Sequence, residues 1–354
     1  MNYNVFYVKH INLSQMQGQE KIGIVLATYN PQIEYFKKQI QSIQNQTWKN
    51  WICHIVDDCS QPKYQAEIKK IIDNDSRFIC HFHSDNLKHY YNFERGLQYC
   101  IQDPRITAIA FSDQDDIWEA EKLEILLAEL RSRQVLLVHS DLKLINSHDE
   151  SIHPSTWDFE GRNPEKATVE LLLLRNVVTG CSLLFCTSLI PYILPFPKHE
   201  FGWHHDWWVA LVAIKKGKIA HLRQPLIRYR IHNSNTVGVV QDAGKIYTEF
   251  LVWTRNKYRI TGKSYLFHYN LSKALADRFQ SETNSSLINP FDTLRLDFGL
   301  GILKLCYQSW QNRYGSEGIA LRIWIIKILF DIKRIKNYIF KFLSISQYNN
   351  IQNK

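Results

Sequence analysis

The feature that most constrains the fold is the alternation of short apolar runs with helical patterns from residue 21 onward. The predicted strands are 21–28, 51–56, 77–83 and 106–111, and segments with helical spacing of apolar residues lie between them. Strands separated by single helices are typical of a parallel, doubly wound sheet with right-handed crossovers. Ligands of such sheets bind beyond the carboxyl ends of the strands. We therefore expect an α/β fold with its site at that edge.

Polar clusters stand directly after three of the predicted strands. They comprise Thr28, Tyr29 and Asn30 after the first strand, Asp57 and Asp58 after the second, and Asp113, Asp115 and Asp116 after the fourth. Crowded carboxylates repel one another unless a cation neutralises them, and divalent cations prefer oxygen ligands. The alternative is a solvated turn in which Asp116 caps the following helix. No GxGxxG or GxxxxGKS/T loop follows these strands, so we expect metal rather than glycine-rich backbone at any ligand phosphates.

Length and composition indicate one large domain with an appendage. We expect an N-terminal extension over 1–19, an α/β domain over 20–242 and a helical region over 243–354. The seven cysteines form no CxxC pair, which favours a reducing compartment. The N-terminal stretch lacks the basic and apolar regions of a signal peptide, so the predicted location is cytoplasmic.

The C-terminal region contains a basic amphipathic helix, predicted over 318–346. Its apolar stripe recurs at steps of three and four residues: Leu321, Ile325, Ile328, Ile332, Ile335, Ile339 and Phe342. Residues 319–343 hold six basic residues and one acid, out of a formal net charge of +9 for the chain. This pattern predicts peripheral contact with the inner face of the cytoplasmic membrane. A helix packed on the protein or paired in a coiled coil has the same spacing. No nucleic-acid partner is expected, because the strand-end clusters are acidic.

Seven motifs in this order resemble an inverting glycosyltransferase of family 2, in its rhamnosyltransferase-like branch. They are IVLATYN, QSIQNQTW, WICHIVDDCS, FSDQDDIW, TGCSLLF, HDWW and YRIHNSN, spread over roughly residues 20–240. The resemblance implies a GT-A fold, which is Rossmann-like with a mostly parallel sheet and flanking helices. It also implies transfer of a sugar from a nucleotide diphosphate sugar donor to an acceptor hydroxyl.

The resemblance implies a nucleotide site at the first strand ends. Asp58 resembles the carboxylate that holds the nucleotide base, with Thr28, Tyr29 and Asn30 beside it. Asp113 matches the first carboxylate of the DXD motif and is expected near the ribose.

The resemblance also implies roles at the reacting end of the donor. Asp115 matches the DXD carboxylate that binds Mn²⁺ or Mg²⁺ on the diphosphate, and Asp206 matches the general base. Arg230 and His232 match the YRxH segment and are candidates for contact with the diphosphate or the metal. A solvated loop histidine is the alternative for His232.

The acceptor and the sugar are less constrained. Trp203 and Trp208 are candidates for stacking on an acceptor sugar. The resemblance implies rhamnose or another deoxyhexose, transferred to a glycan or lipid-linked glycan in O-antigen or capsule synthesis. Family members often have glycine after Asn-Leu in the third strand–helix turn, where this chain has Lys88 and His89. Alternative functions are a metal-dependent sugar nucleotidyltransferase or pyrophosphatase, and a basic nucleic-acid-binding protein.

Overall fold

The computed structural model describes residues 20–198, 203–232, 239, 262–279, 291 and 299–352, with side chains described except at 262–265, 330 and 336–352. The predicted extension over 1–19 lies outside these residues. The chain divides into two compact units. Met1–Glu165 with Asn176–Gln241 form the first, and Lys166–Arg175 with Asp242–Lys354 form the second.

The first unit is built on one nine-stranded sheet. Its strands are β1 (Lys21–Thr28), β2 (Trp51–Asp57), β3 (Phe78–Phe82), β4 (Ile106–Ser112), β5 (Ile117–Trp118), β6 (Leu137–Ile145), β7 (Ser151–His153), β8 (Leu183–Cys186) and β9 (Ile219–Arg230). Its helices are α1 (Ile33–Gln44), α2 (Pro62–Ile72), α3 (Lys88–Cys100), α4 (Lys122–Ser132), α5 (Thr156–Glu160), α7 (Ile190–Ile193) and α8 (His205–Lys216); α6 (Val169–Leu174) belongs to the second unit. The strand order is β3-β2-β1-β4-β8-β6-β9-β5, and β7 pairs with β6.

The sheet is parallel in its first half and mixed in its second. The pairs β3–β2, β2–β1 and β1–β4 are all parallel, as the alternating pattern predicts. Strand β8 then runs antiparallel to both β4 and β6, and β6 pairs in parallel with β9. The sheet is therefore parallel throughout β1 to β4, as predicted, and mixes parallel and antiparallel pairs beyond them.

Helix α3 is held directly on the central strands, and this contact positions its N-terminus at the strand ends. A Cβ added at Gly96 would lie 2.0 Å from Val25 Cγ1 of β1, so only glycine permits this approach. The buried Asn92 Nδ2 donates to the Val56 carbonyl of β2 at 2.7 Å. The central strands are apolar on both faces, which explains their continuous apolar runs in the sequence.

The five residues after DQDD are not helical, although apolar residues continue from there into a helical pattern. Ile117 and Trp118 form β5, which pairs antiparallel with β9, and helix α4 begins only at Lys122. The Trp118 backbone N–H donates to Ser42 Oγ of α1 at 3.0 Å. Asp116 therefore does not cap a helix, because α4 has Glu121 in the N-cap position.

Shorter elements lie where the sequence shows no periodic pattern. The polar segment 146–166 contains β7 and α5, whose few residues show no period. Helix α3 begins at Lys88. Asn30 lies in a turn with a φ of 42°, and Gln32 Oε1 caps α1 by accepting from the Tyr35 N–H.

The second unit is helical. It contains α6 with α9 (Gly262–Phe279), α10 (Leu300–Gln311) and α11 (Glu317–Gln352). His268 of α9 contacts the Leu173 carbonyl of α6 at 2.8 Å, and Tyr314 Oη donates to the Arg175 carbonyl at 3.0 Å. Segment 166–175 is thus fixed by contacts to residues far later in the chain.

Helix α11 contains the predicted basic amphipathic segment. Its inward face carries Ala320, Ile323 and the buried ion pair of Lys327 with Asp331, in which Nζ and Oδ2 are 2.6 Å apart. Ile325 and Ile332 of the predicted stripe are exposed, so the stripe is not the packed face. Ile339 and Phe342 lie outside the described side chains. Among the described helices, none combines the length and the apolarity needed to cross a bilayer.

A buried histidine in β6 makes the stability of the first unit dependent on pH. His139 is fully buried, neither ring nitrogen has a hydrogen-bond partner among the described residues, and its ring packs edge-on against Trp157. Burial lowers the pKa of His139 from its usual range to about 3. Protonation below the ordinary pKa therefore favours the unfolded chain.

We expect acid to destabilise the wild type more than the variant His139→Leu. Between pH 7.5 and about pH 5, the histidine in the unfolded chain takes up a proton that the folded state excludes, which costs about 2 kcal/mol. Urea unfolding at both pH values measures the difference. An identical loss of unfolding free energy in both proteins would contradict it.

Candidate active site

The carboxyl ends of β1, β2 and β4 open into a cavity of about 480 Å³. Its lining includes the predicted site residues Thr28, Tyr29, Asp58, Asp113, Asp115 and Asp206. The three polar clusters that follow separate strands in the sequence therefore meet at one edge of the sheet. Asp206 comes from the start of α8, and residues of β6 and β9 line the same cavity, so both the parallel and the mixed part of the sheet contribute to it.

Gln114, the middle residue of the DXD motif, connects the ends of β1 and β4. Its Oε1 accepts from Thr28 Oγ1 and from the Tyr29 N–H, both at 2.9 Å. Neither the strand pattern nor the motif assigns this residue a role in advance. The two bonds hold the end of β1 against residues 113–116 (DQDD), called the acidic turn below.

Burial raises the pKa of two carboxyl groups in the acidic turn. Burial, with Asp115 and Asp206 nearby, raises the pKa of Asp113 to about 7. Burial and the neighbouring carboxylates also raise the pKa of Asp116 well above its usual range. The nearby Lys122 is fully buried, its Nζ donates to the Cys181 carbonyl at 2.8 Å, and burial lowers its pKa well below normal.

Residues at the end of β9, which lies three strands away from β4 in the sheet, bind the acidic turn. The backbone N–H of the buried Arg230 donates to Asp116 Oδ1 at 3.0 Å, and its Nε donates to the Asp115 carbonyl at 2.8 Å. The guanidinium also pairs with Asp149. His232 Nε2 lies 2.8 Å from Asp115 Oδ2. The structure thus brings both predicted YRxH residues to the DXD turn.

Asp58 is anchored by the turn between β3 and α3. Its Oδ1 and Oδ2 accept from the backbone N–H groups of Leu87 and Lys88, each at 2.8 Å. Arg95 Nη1 lies 3.5 Å from Oδ1. The carboxylate is 3% exposed and lines the cavity, so its plane is fixed before any ligand binds.

Asp206 sits at the start of α8 with its carboxylate held from three directions. Asn176 Nδ2 and the Trp207 N–H donate to Oδ1 at 3.1 and 2.6 Å, and the Gly180 N–H donates to Oδ2 at 2.8 Å. Burial raises the pKa of Asp206, while the bonds from Gly180 and Trp207 oppose that shift. Asn176 and Gly180 were not identified from the sequence, because each acts through a contact distant in the chain.

Three of the predicted site residues do not line the cavity. Trp208 is fully buried and its Nε1 donates to the Ile193 carbonyl at 3.0 Å, so no acceptor reaches it. Trp203 is 2% exposed and does not line the cavity, whereas Trp207 does. Asn30 also lies outside the lining, and its Oδ1 accepts from the Gln61 N–H at 2.9 Å.

Residues 23–192 match the family model described as glycosyl transferase family 2. The chain carries a glycosyltransferase family 2 domain. It is similar to a UDP-Glc:alpha-D-GlcNAc-diphosphoundecaprenol beta-1,3-glucosyltransferase, WfgD, of Escherichia coli, with 25% identity over 60% of this chain and 78% of the relative. An uncharacterized glycosyltransferase of Rickettsia felis is 24% identical over 93% of this chain, which spans 51% of that relative.

The family 2 domain has the GT-A fold. The chain superposes on the crystal structure of S. aureus TarS 1–349 in complex with UDP-GlcNAc with a TM-score of 0.51. The match covers 87% of this chain and 90% of TarS 1–349, at 14% identity. The GT-A fold implied by the motifs is therefore confirmed.

Gly180 is the position where a small change should move Asp206. A Cβ added there would lie 2.6 Å from His205 Nε2 and 3.3 Å from Asp206 Cβ. We expect Gly180→Ala to displace the carboxylate and slow donor turnover by roughly a hundredfold, measured as release of nucleoside diphosphate from its sugar conjugates. Gly217→Ala is the control, because its Cβ would instead meet Leu136 at 2.8 Å, outside the cavity. Equal turnover by Gly180→Ala and wild type would contradict the expectation.

Proposed function

We propose that the protein is an inverting glycosyltransferase that moves a sugar from a nucleotide diphosphate donor to an acceptor hydroxyl in cell-surface polysaccharide synthesis. The observation that carries this proposal is one cavity lined both by the DXD turn and by the half-buried carboxylate of Asp206. Family membership supports the reaction class. The name of WfgD supports the pathway, since it describes transfer to a sugar on a lipid diphosphate.

The donor nucleotide is assigned to the ends of β1 and β2. Asp58 would accept a hydrogen bond from the base at Oδ2, which keeps a lone pair beyond the bond from Lys88, whereas Oδ1 faces both the Leu87 N–H and Arg95 Nη1. Thr28, Tyr29 and Asp113 line the same cavity, and Asp113 would meet the ribose. The bonds that fix Asp58 and Gln114 keep this subsite rigid.

Asp115 is the residue assigned to Mn²⁺ or Mg²⁺, with His232 beside it. Both ions prefer oxygen ligands, and Asp115 presents its carboxylate to the cavity. Ligand atoms of Asp113, Asp116 and Cys181 also lie within 4.8 Å of one another. Burial raises the pKa of the Cys181 thiol well above its usual range, and Mn²⁺ and Mg²⁺ prefer carboxylate oxygen to sulfur as a ligand. When bound, the ion would neutralise charge on the leaving diphosphate.

Asp206 is assigned as the general base. As the acceptor oxygen attacks the anomeric carbon, its proton passes to the Asp206 carboxylate. The bond from the anomeric carbon to the diphosphate oxygen breaks on the opposite face, and the nucleoside diphosphate keeps the electron pair. The raised pKa of Asp206 strengthens it as a base, and its three hydrogen bonds hold it in one orientation.

Rhamnose or another deoxyhexose stays our prediction from the motifs, whereas the names of WfgD and the TarS complex refer to UDP-glucose and UDP-GlcNAc. Which nucleotide the protein binds is therefore the first property to measure.

Titration calorimetry with UDP, GDP and dTDP, with and without Mn²⁺, tests the donor and metal assignments. We expect metal-dependent binding of one diphosphate and its loss in Asp115→Ala. The control Glu121→Ala removes an exposed carboxylate outside the cavity and should bind as the wild type does. Asp206→Asn should keep that affinity while donor turnover falls by roughly a hundredfold or more. If the wild type binds none of the three with metal present, the proposal fails.

We also propose peripheral contact between the second unit and the inner face of the cytoplasmic membrane. One face of α10 exposes Leu300, Leu303, Tyr307 and Trp310, with exposed fractions of 65%, 38%, 56% and 65%. In the described part of 299–335, the charged side chains classed as exposed are Lys304, Arg313 and Lys333, all cationic. Apolar and aromatic groups flanked by cations fit an anionic bilayer surface. A lipid-linked acceptor would be met there.

Sedimentation with vesicles tests this contact. The wild type should bind vesicles containing phosphatidylglycerol more tightly than pure phosphatidylcholine vesicles, because the surface combines apolar groups with cations. The double variant Leu300→Ser/Trp310→Ser should lose most of this binding. Ile152→Ser is the matched control, since Ile152 of β7 is 46% exposed in the first unit. Equal sedimentation of both variants, or a change in oligomeric mass only in the double variant, would overturn the membrane proposal.

A further inference from the structure

The first residue of α3 combines an unusual backbone with a position on the cavity wall. Lys88 has a φ of 67°, in the left-handed region that glycine adopts without strain. Its backbone N–H donates to Asp58 Oδ2 at 2.8 Å, so this conformation is fixed by the site itself. Backbone strain of this kind at a site is a reason to examine what the side chain does there.

The Lys88 side chain is an exposed cation in a cavity whose other charged walls are mainly acidic. Asp58, Asp113, Asp115 and Asp206 all line the same space. The nearby Asp58 is approached by the Arg95 guanidinium, which also pairs with Asp85 at 2.7 Å. The Lys88 ammonium is therefore available to an anion that enters the cavity.

The turn of Lys88 and His89 spans the distance between the two ends of the site. Lys88 is bonded to Asp58, and His89 Nε2 lies 3.3 Å from Nδ1 of His204, two residues before Asp206. A donor with its base at Asp58 and its anomeric carbon near Asp206 must pass its diphosphate and sugar along this turn. A cation here meets the part of the donor that carries negative charge.

We propose that Lys88 binds an anionic group of the donor, either a phosphoryl oxygen of the diphosphate or a carboxylate on the sugar. This inference rests on the proposed function, because it uses Asp58 and Asp206 as the two ends of the donor. It adds a positioning contact that acts beside the metal assigned to Asp115. It also gives a reason for a lysine at a position whose backbone favours glycine.

The variant Lys88→Gly removes the side chain while keeping a residue that adopts the same backbone conformation. Glycine adopts a φ of 67° freely, so the Tm is expected to stay at or above that of the wild type. If Lys88 binds a phosphoryl oxygen, calorimetry with UDP, GDP and dTDP in the presence of Mn²⁺ should show roughly tenfold weaker binding of the diphosphate that the wild type binds. Lys88→Met should show the same loss, and Lys88→Arg should keep most of the affinity.

Gln134→Gly is the matched control. Gln134 has a φ of 51° in the exposed turn between α4 and β6, away from the cavity. The same relief of strain there should leave nucleotide affinity unchanged. A change in affinity at both positions would mean that the effect comes from the backbone and not from the ammonium group.

Two ligand comparisons identify the anion. If the phosphoryl groups are bound, Lys88→Gly weakens the nucleoside diphosphate but not the nucleoside. If a sugar carboxylate is bound, it weakens UDP-glucuronate more than UDP-glucose. Unchanged affinity for every ligand in Lys88→Gly and Lys88→Met, with a wild type that binds, overturns this inference alone. A wild type that binds no nucleotide overturns the proposed function with it.

Discussion

The arrangement of the site depends on how the DQDD turn is held despite its crowded carboxylates. Their mutual repulsion is opposed by groups that the fold supplies from later in the chain. The buried Arg230 donates its backbone N–H to Asp116 and its Nε to the Asp115 carbonyl, and its own charge is balanced by Asp149. The turn can therefore keep a fixed shape while two carboxylates, Asp113 and Asp115, remain turned to the cavity.

The other two carboxylates of the site are also held by groups of the fold, in this case backbone N–H donors. Asp58 and Asp206 both accept backbone N–H groups, from Leu87 and Lys88 in one case and from Gly180 and Trp207 in the other. Backbone donors carry no mobile side chain, so they fix the direction of a carboxylate at little entropic cost. The acidic cavity is thus rigid on both sides, which suits a reaction that depends on alignment.

The sequence was sufficient for the elements that are buried on both faces. Strands β1, β2 and β4 are continuous apolar runs with polar residues at their ends, so both the parallel sheet and the convergence of Asp58 and Asp113 could be predicted. Strand β5 could not be predicted, because two residues show no period and their pairing with β9 is set far along the chain. That Trp207 rather than Trp208 lines the cavity could not be predicted either, since adjacent helix residues point about 100° apart and only packing decides which one faces the cavity. The left-handed backbone of Lys88 has no local signal, because lysine does not favour it.

The interleaving of the two units has a consequence for how the chain is made. Helix α6 lies inside the sequence of the first unit, yet it belongs to the second, and Leu171 to Leu174 are all buried in the folded chain. During synthesis α6 emerges before α9 and α10, and it lacks its contacts with those two helices until the C-terminal region follows. A fragment that stops near residue 242 would lack these contacts and expose part of the leucine run, which is a site for aggregation. The helical region therefore completes the folding of a segment made some hundred residues earlier.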